Sequence, residues 1–395
     1  MKQLMFMLLL TILVSSCGDN IDNDDGGTNP TNPVTPNTQT SILDYSNIVD
    51  LPATPLNYAN INLPNYFNQD NNIDNTPNGN QVTDWGATLG RVLFYDKKLS
   101  RNQTIACASC HEAENGFSDD AAFSTGFDGR LIGRNSMGLA NAKFYNNGHF
   151  FWDERANTLE DQVLEPIQDA VEMGMTLGEV VERVEQEAYY RILFQEAFGD
   201  ETVNSDRISL ALSQFIRSML SYNSKYDTGR SQVNNPRDNF PNFTNQENQG
   251  KALFFSNRTN CDNCHGTESF VGPNARNNGL DLVYADKGVG ERTRNPNDFG
   301  DFKVPSLRNI ELTAPYMHDG RFATLEEVID HYSDGVQNHP NLSNQLRQGN
   351  QVRHGNFNNG ERAALVAFLR TLTDNQFVTD ERYNNPAIPH MEKKA

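Results

Sequence analysis

Basic side chains are scarce in this sequence of 395 residues, with 32 lysines and arginines against 51 aspartates and glutamates and a formal charge of −19. A surface that binds nucleic acid needs a basic footprint to neutralise phosphates, so the composition excludes DNA and RNA as partners. Long apolar runs are also missing, because the stretch from Leu4 to Val14 is too short to span a bilayer. Strand-like alternation of apolar and polar residues is scarce as well, and we therefore expect a mostly helical protein.

The N-terminus has the pattern of an export signal. Lys2 followed by a short apolar stretch predicts a signal peptide over residues 1–16. Residues 13–17 read Leu-Val-Ser-Ser-Cys and resemble a bacterial lipobox, in which Cys17 is acylated and becomes the new N-terminus; an ordinary secretory signal with a stray cysteine is the alternative. We predict a lipidated, disordered linker over residues 17–43. The protein is then expected in the periplasm or cell envelope, with membrane contact only through the lipid anchor.

Cysteine is rare, with five in the chain, and the four beyond Cys17 fall in two identical frames. Each frame is a Cys-x-x-Cys-His pentapeptide: Cys107, Cys110 and His111 in the first, and Cys261, Cys264 and His265 in the second. Two thiols one helical turn apart can each add to a vinyl group of haem, and the adjacent histidine then lies under the iron. Two disulfides or one four-cysteine zinc site would not explain a histidine after both pairs. The sequence predicts two covalently bound haem c groups.

The second half of the chain repeats features of the first. The two frames lie 154 residues apart, and similar amphipathic runs, residues 86–94 and 248–255, precede them. Helical periodicity continues through residues 177–198, 208–222, 325–332 and 362–372. Thr244 with Glu247 three residues later is a capping-box signature that follows a Pro-containing polar stretch, which suggests a boundary between the halves near residue 240.

Two further blocks give the chain a family resemblance. Residues 149–156 read His-Phe-Phe-Trp-Asp-Glu-Arg-Ala and residues 314–321 read Ala-Pro-Tyr-Met-His-Asp-Gly-Arg. With the two haem frames, they resemble the bacterial dihaem cytochrome c peroxidase family, in its MauG-like branch, from about Asp84 to Leu372. The resemblance implies two cytochrome c-like domains with the haems facing their interface. We expect a peroxidatic haem domain over residues 44–240, an electron-transfer haem domain over residues 241–375, and a C-terminal tail over residues 376–395.

The resemblance also implies a set of catalytic residues near the first haem. Glu172 matches the family's acid-base glutamate, and Gln162 and Pro166 match other distal-pocket positions. Apolar neighbours would raise the pKa of Glu172 towards a working value. Trp152 matches the tryptophan that provides an electronic path between the haems. Without the family resemblance, Glu172 would be a helix-surface residue and Trp152 a core aromatic.

A calcium ion lies between the haems in the family, and the matching positions here are Asn135, Thr313 and Pro315. Backbone carbonyl ligands cannot be identified from side chains, so these three positions also fit ordinary turn residues.

Two departures from the typical peroxidases concern the iron ligands. The first haem's second histidine would lie sixteen residues after His111, but that position is Phe127, so we expect this haem to be open at rest, with His149 as a less favoured substitute. Fourteen residues after His318, the resemblance implies the second haem's far ligand, which is methionine in the typical peroxidases and tyrosine in the MauG-like branch; this chain has Tyr332 there. Met317 and His331 are rival ligands for the same iron.

The sequence therefore predicts an enzyme that reduces hydrogen peroxide at the N-terminal haem with electrons delivered through the C-terminal haem. The electron donor would be a small cytochrome or cupredoxin. One alternative is MauG-like oxidation of tyrosine or tryptophan side chains of a partner protein, and another is a dihaem electron carrier without peroxide chemistry. The family often forms homodimers, so a homodimer is an additional expectation.

Overall fold

The computed structural model describes residues 51–68 and 73–386. The chain divides into two units, residues 1–43 and 44–395, and every described residue belongs to the second. The expected signal peptide, the acylated Cys17 and the linker lie outside the described residues. In the part of the chain that is described, no helix has both the length and the apolar character needed to cross a bilayer.

The described chain is mostly helical, as the sequence predicts. The α-helices are α1 Asp84–Tyr95, α2 Leu159–Gln162, α3 Glu165–Gln168, α4 Leu177–Gln186, α5 Ala188–Phe198, α6 Ser205–Ser218, α7 Lys225–Arg230, α8 Asn245–Phe254, α9 Val289–Thr293, α10 Leu325–Asp330, α11 Asn359–Arg370 and α12 Asn375–Thr379. The short 3₁₀ helices are Asn65–Asn68, Lys97–Leu99, Cys107–Ser109, Ala113–Asn115, Ala142–Phe144, Cys261–Asn263, Pro296–Asp298 and Asn344–Leu346, and a π turn covers His331–Gly335. Within the described residues the strands are β1 Arg347–Gln348 and β2 Gln351–Val352, which pair antiparallel.

The helix before each haem frame packs against a later helix through a glycine. In the first half α1 lies on α6, and a Cβ added at Gly90 would overlap the carbonyl group of Ala211. In the second half α8 lies on α11, and a Cβ at Gly250 would overlap the carbonyl group of Ala364 in the same way. Only glycine allows two helix backbones to approach this closely. The internal repeat seen in the sequence is therefore also a repeat of tertiary contacts.

Helix capping follows the sequence signals. Thr244 Oγ1 accepts a hydrogen bond from the amide of Glu247 at 3.2 Å, and the Glu247 carboxylate accepts one from the amide of Thr244 at 2.6 Å. This reciprocal pair confirms the predicted capping box, which satisfies two amides at the start of α8.

Two large apolar clusters form the core. The first is built from α1, α4, α5 and α6 and also includes Phe377 and Tyr383, which are 2% and 1% exposed. The second is built around α8 and α11 and begins at Tyr226, whose ring centre lies 5.0 Å from that of Phe270. The second cluster thus starts before the expected boundary at residue 240, because the ring of Tyr226 is buried among later aromatic rings. Residues from the expected C-terminal tail, in turn, pack into the first core.

Candidate active site

The two haem frames adopt the same local structure. Cys107–Ser109 and Cys261–Asn263 are single 3₁₀ turns, and the histidine follows each turn directly. His111 Nδ1 lies 3.0 Å from the carbonyl oxygen of Phe117, and His265 Nδ1 lies 3.0 Å from that of Phe270. A backbone partner at Nδ1 fixes the ring orientation and leaves Nε2 for a metal, as is typical of metal-binding histidines.

Backbone strain positions these two carbonyl groups. Phe117 and Phe270 have φ angles of 62° and 54°, in the left-handed region that bulky residues rarely adopt. Both side chains are fully buried, at 0% exposure. Their burial holds the strained turns in place, and each turn points its carbonyl oxygen at the histidine of its frame.

The four cysteines of the frames form no disulfides with one another, and Cys107 and Cys261 pack against the two apolar clusters. Burial raises the pKa of the Cys107 and Cys261 thiols to about 12 and that of Cys110 to about 11. No cluster of three or more metal-binding side chains of the kind a four-cysteine zinc site requires is found among the described residues. The environment fits a covalently attached porphyrin, which presents a large apolar surface, better than a zinc ion.

A cavity of about 220 Å³ lies against the second frame. Cys261, Cys264 and His265 line one side of it, and apolar side chains such as Leu280, Val304 and Leu365 contribute to the rest. A cavity with thiols and an oriented imidazole at its wall has the donor set that a haem c requires. The residues present therefore fit the cofactor.

The three rival ligands for the second iron occupy different environments. Tyr332 and Met317 both line the cavity together with His265. His331 is directed elsewhere, because its Nε2 lies 3.0 Å from the carbonyl oxygen of Asn278. Tyr332 belongs to the π turn that continues α10, a local irregularity often found at functional sites. Burial raises the pKa of the Tyr332 hydroxyl.

Glu172 interacts electrostatically with the first frame. Burial is the main cause of the raised pKa of the Cys107 and Cys110 thiols, and the charge of Glu172 adds to it. Burial, with a smaller contribution from Asp169, raises the pKa of Glu172 itself to about 7. A carboxyl group with such a pKa can accept and release a proton near neutral pH.

The chain around Glu172 is organised by backbone hydrogen bonds. The Glu172 amide donates to Asp169 Oδ1 at 3.0 Å, and the Met173 amide donates to the carbonyl oxygen of Pro166 at 3.2 Å. The structure thus brings Pro166 next to the glutamate segment. Gln162 is the last residue of α2, one turn before Pro166, and is partly buried.

Trp152 lies at the wall of the cavity at the second frame. Its Nε1 donates to the carbonyl oxygen of Asn135 at 2.8 Å, and its ring meets that of His318 edge-on with centroids 6.5 Å apart. The indole is partly buried against Leu280 and Phe302. Trp152 therefore belongs to the first half of the sequence but contacts the site of the second haem frame.

The three expected calcium positions line this same cavity. The Asn135 carbonyl oxygen already accepts the Trp152 indole N–H, and Asn135 Nδ2 donates to the carbonyl oxygen of Ala121 at 3.3 Å. Thr313 Oγ1 donates to the carbonyl oxygen of Ile310 at 3.4 Å. The structure brings Asn135, Thr313 and Pro315 together, and their role as calcium ligands stays a prediction.

Sequence reasoning missed one residue at this site, Lys303. Its side chain is buried, and its backbone amide donates to the carbonyl oxygen of Trp152 at 2.8 Å. The available signal was a single lysine within the otherwise mostly apolar run Phe302–Leu307, where a charge requires a specific partner.

Comparison with known proteins agrees with this geometry. A family model described as di-haem cytochrome c peroxidase matches residues 85–234. The methylamine utilization protein MauG of Methylophilus methylotrophus is 31% identical over 75% of this chain and 84% of its own length. Cytochrome c551 peroxidase of Nitrosomonas europaea is 33% identical over 73% of this chain and 80% of its own. The crystal structure of a MauG-like protein associated with microbial copper homeostasis has a TM-score of 0.71 and 34% identity, and the alignment covers 83% of this chain and 99% of that one. The chain belongs to the di-haem cytochrome c peroxidase family, and it is a peroxidase-type oxidoreductase.

Proposed function

We propose that this protein reduces hydrogen peroxide to water at a haem held by Cys107, Cys110 and His111. Two electrons and two protons are consumed for each peroxide, and two waters are released. When bound, haem supplies an iron that takes up peroxide and exchanges electrons. The chain supplies the proton transfer, the orientation of the proximal histidine and the route for electrons.

The proposal is supported by Glu172, because burial raises its pKa to about 7 and its charge contributes to the raised pKa of the Cys107 thiol in the first frame. As a carboxylate it accepts a proton from one oxygen of peroxide. It then donates this proton to the other oxygen, which leaves as one water as the O–O bond breaks; the two electrons and the two added protons convert the remaining oxygen into the second water. Phe127 stands where the family's second histidine would be, and its ring has no lone pair to offer, so this chain would leave a haem held by the first frame accessible to peroxide.

Cys261, Cys264 and His265 would hold a second haem, which would supply the electrons for this site. Trp152 is the intermediate in the path of electrons between the two frames. Its position at the wall of the cavity at the second frame supports this assignment. Tyr332 is the proposed far ligand of the second iron, with Met317 as the rival that lines the same cavity. An anionic tyrosinate would stabilise the oxidised metal.

A second candidate function is the oxidation of tyrosine or tryptophan side chains of a partner protein. Tyr332, which lines the cavity at the second frame, favours this function, because the family resemblance associates tyrosine at this position with MauG. The identity of 31% to a MauG protein supports the same alternative. In this case a protein substrate, rather than a small cytochrome or cupredoxin, would dock on the exported enzyme.

The proposal is tested by mixing the resting protein with one equivalent of hydrogen peroxide and recording the Soret band. A prompt spectral change is expected, whereas a dihaem electron carrier would barely respond. Steady turnover with a reduced small cytochrome or cupredoxin would then support the peroxidase. Modification of a co-purifying protein without such turnover would support the MauG-like reaction instead.

Location and assembly are part of the same proposal. Export through residues 1–16 and acylation of Cys17 would hold the enzyme at the cell envelope. Labelling with a radioactive fatty acid tests this anchor, and Cys17→Ser is expected to abolish the label. Size-exclusion chromatography of the delipidated protein tests the expected homodimer.

A further inference from the structure

A buried lysine from the second half of the chain holds the loop that carries Trp152. Lys303 is 3% exposed, although a lysine is rarely buried without a specific partner. Its backbone amide donates to the carbonyl oxygen of Trp152 at 2.8 Å. Its Nζ donates to the carbonyl oxygen of His149 at 2.7 Å. One residue thus binds two points of the loop formed by residues 149–154, three positions apart.

The ammonium group of Lys303 is surrounded by groups from the first half. Glu154 Oε1 lies 4.0 Å away, and the ring centre of Tyr145 lies 4.2 Å from Nζ. Glu154 is itself buried at 8% exposure and accepts a hydrogen bond from Asn147 Nδ2 at 2.7 Å. The carbonyl, the carboxylate and the aromatic face around this cation offset part of the cost of its burial, which still lowers the pKa of Lys303 to about 8.

Lys303 has no part in the chemistry described above, so its burial requires another explanation. We propose that Lys303 is a positioning residue that sets the place of the Trp152 indole between the two haem sites. This inference rests on the proposed role of Trp152 in electron transfer. Small displacements of a group in a reaction path slow the reaction strongly, about a hundredfold for 1 Å in the case of enzyme-bound substrates.

A matched control exists elsewhere in the chain. Lys251 is also buried, at 1% exposure, with its Nζ 4.2 Å from the ring centre of Phe240. It donates to the carbonyl oxygens of Pro236 and Asp238, both at 2.6 Å. Lys251 therefore shares the burial, the aromatic contact and the carbonyl partners of Lys303, but these partners lie outside the Trp152 loop.

The first measurement is hydrogen–deuterium exchange of residues 147–156 in the resting, haem-loaded protein. Lys303→Met keeps an unbranched side chain that is one atom shorter and removes its charge and donor. Exchange in this segment is expected to accelerate by about tenfold in Lys303→Met and to remain unchanged in Lys251→Met. Equal protection in Lys303→Met and the parent protein would overturn the inference.

The second measurement is the rate at which the first haem is re-reduced by the second after one peroxide turnover. We expect a decrease of about tenfold in Lys303→Met and none in Lys251→Met. If Lys303 acts through the indole, Lys303→Met will cause no further decrease in a Trp152→Phe background, as a double-mutant cycle would show. Additive effects would overturn the positioning role.

The outcomes separate this inference from the proposal on which it rests. An unchanged rate in Trp152→Phe overturns both the electron path and the positioning role. A slow Trp152→Phe with a fast Lys303→Met overturns the positioning role alone. If Lys303→Met does not fold, Lys303→Gln replaces it, since glutamine is uncharged and one bond shorter than lysine. A re-reduction rate below that of the parent protein supports the inference, and an equal rate overturns it.

Discussion

The backbone amide of Phe127 donates a hydrogen bond of 2.9 Å to the carbonyl oxygen of Glu172. The ring of Phe127 also lies against Gly174, which has a φ angle of 70° and leaves room for it. The segment that carries a second histidine ligand in typical peroxidases is therefore fastened to the segment that carries the carboxyl group. A side chain that cannot bind iron is thereby placed beside the proposed proton-transfer group.

Replacement of this carboxyl group tests its role directly. Glu172→Gln is expected to slow the reaction of the resting protein with peroxide by about a hundredfold, because the amide cannot accept a proton. Both haems should remain attached, since the attachment residues are untouched. Stopped-flow absorbance measures the rate. Glu165→Gln is the control, because Glu165 is in the same segment but is ion-paired to Arg155 at 2.7 Å; an equal effect of both variants would argue against Glu172.

The pH dependence of kcat/KM for peroxide is expected to follow the ionisation of Glu172. Burial raises the pKa of Glu172 to about 7, and the first step requires the ionised form. Below this pH the carboxyl group is protonated, so kcat/KM should rise about tenfold per pH unit on the acid side and level off above pH 7. Steady-state rates from pH 5 to pH 8.5 measure the profile. A profile that persists unchanged in Glu172→Gln would assign the transition to another group.

The far ligand of the second haem can be identified with two variants. Tyr332 and Met317 both line the cavity at the second frame. If tyrosinate binds the iron, Tyr332→Phe will change the low-temperature electron paramagnetic resonance signal of the second haem and raise its reduction potential, because an anionic ligand is lost. Met317→Leu should leave both unchanged. The reverse pattern would assign the ligand to Met317.

Calcium removal tests the expected calcium ligands. If Asn135, Thr313 and Pro315 bind calcium, dialysis against a chelator will slow electron transfer between the haems, and added calcium will restore it. Elemental analysis of the purified protein gives the stoichiometry. A protein that contains no calcium and is insensitive to the chelator would leave these residues with a structural role only.

The close helix contacts predict opposite effects of two glycine substitutions. A Cβ at Gly250 would overlap the carbonyl group of Ala364, so Gly250→Ala should lower the free energy of unfolding by about 3 kcal/mol. A Cβ at Gly178 in α4 would have no atom within 4 Å. Gly178→Ala should therefore raise stability by about 0.5 kcal/mol through its better helix propensity. Thermal unfolding followed by circular dichroism measures both changes, and a destabilised Gly178→Ala would contradict the packing argument.

The residues of the haem frames could be identified from the sequence because their chemistry depends on local spacing. Both Cys-x-x-Cys-His frames of this chain form a single turn, and their histidines have equivalent backbone partners. The helices and the capping box at Thr244 follow from periodicity and short-range hydrogen bonds in the same way. The candidate residues Glu172, Trp152 and Tyr332 were identified through family resemblance, since no local pattern distinguishes them from other glutamates and aromatics.

The sequence by itself determined the number and place of the haem attachment frames, the helical class and the family. Only the tertiary structure decided that His331 is turned towards Asn278 while Tyr332 and Met317 line the cavity, and that Lys303 is buried against the Trp152 loop. The physical reason is distance along the chain. Covalent attachment and capping depend on residues a few positions apart. The direction of a buried side chain depends instead on packing between distant segments, 53 residues apart for His331 and Asn278 and 154 residues apart for Lys303 and His149.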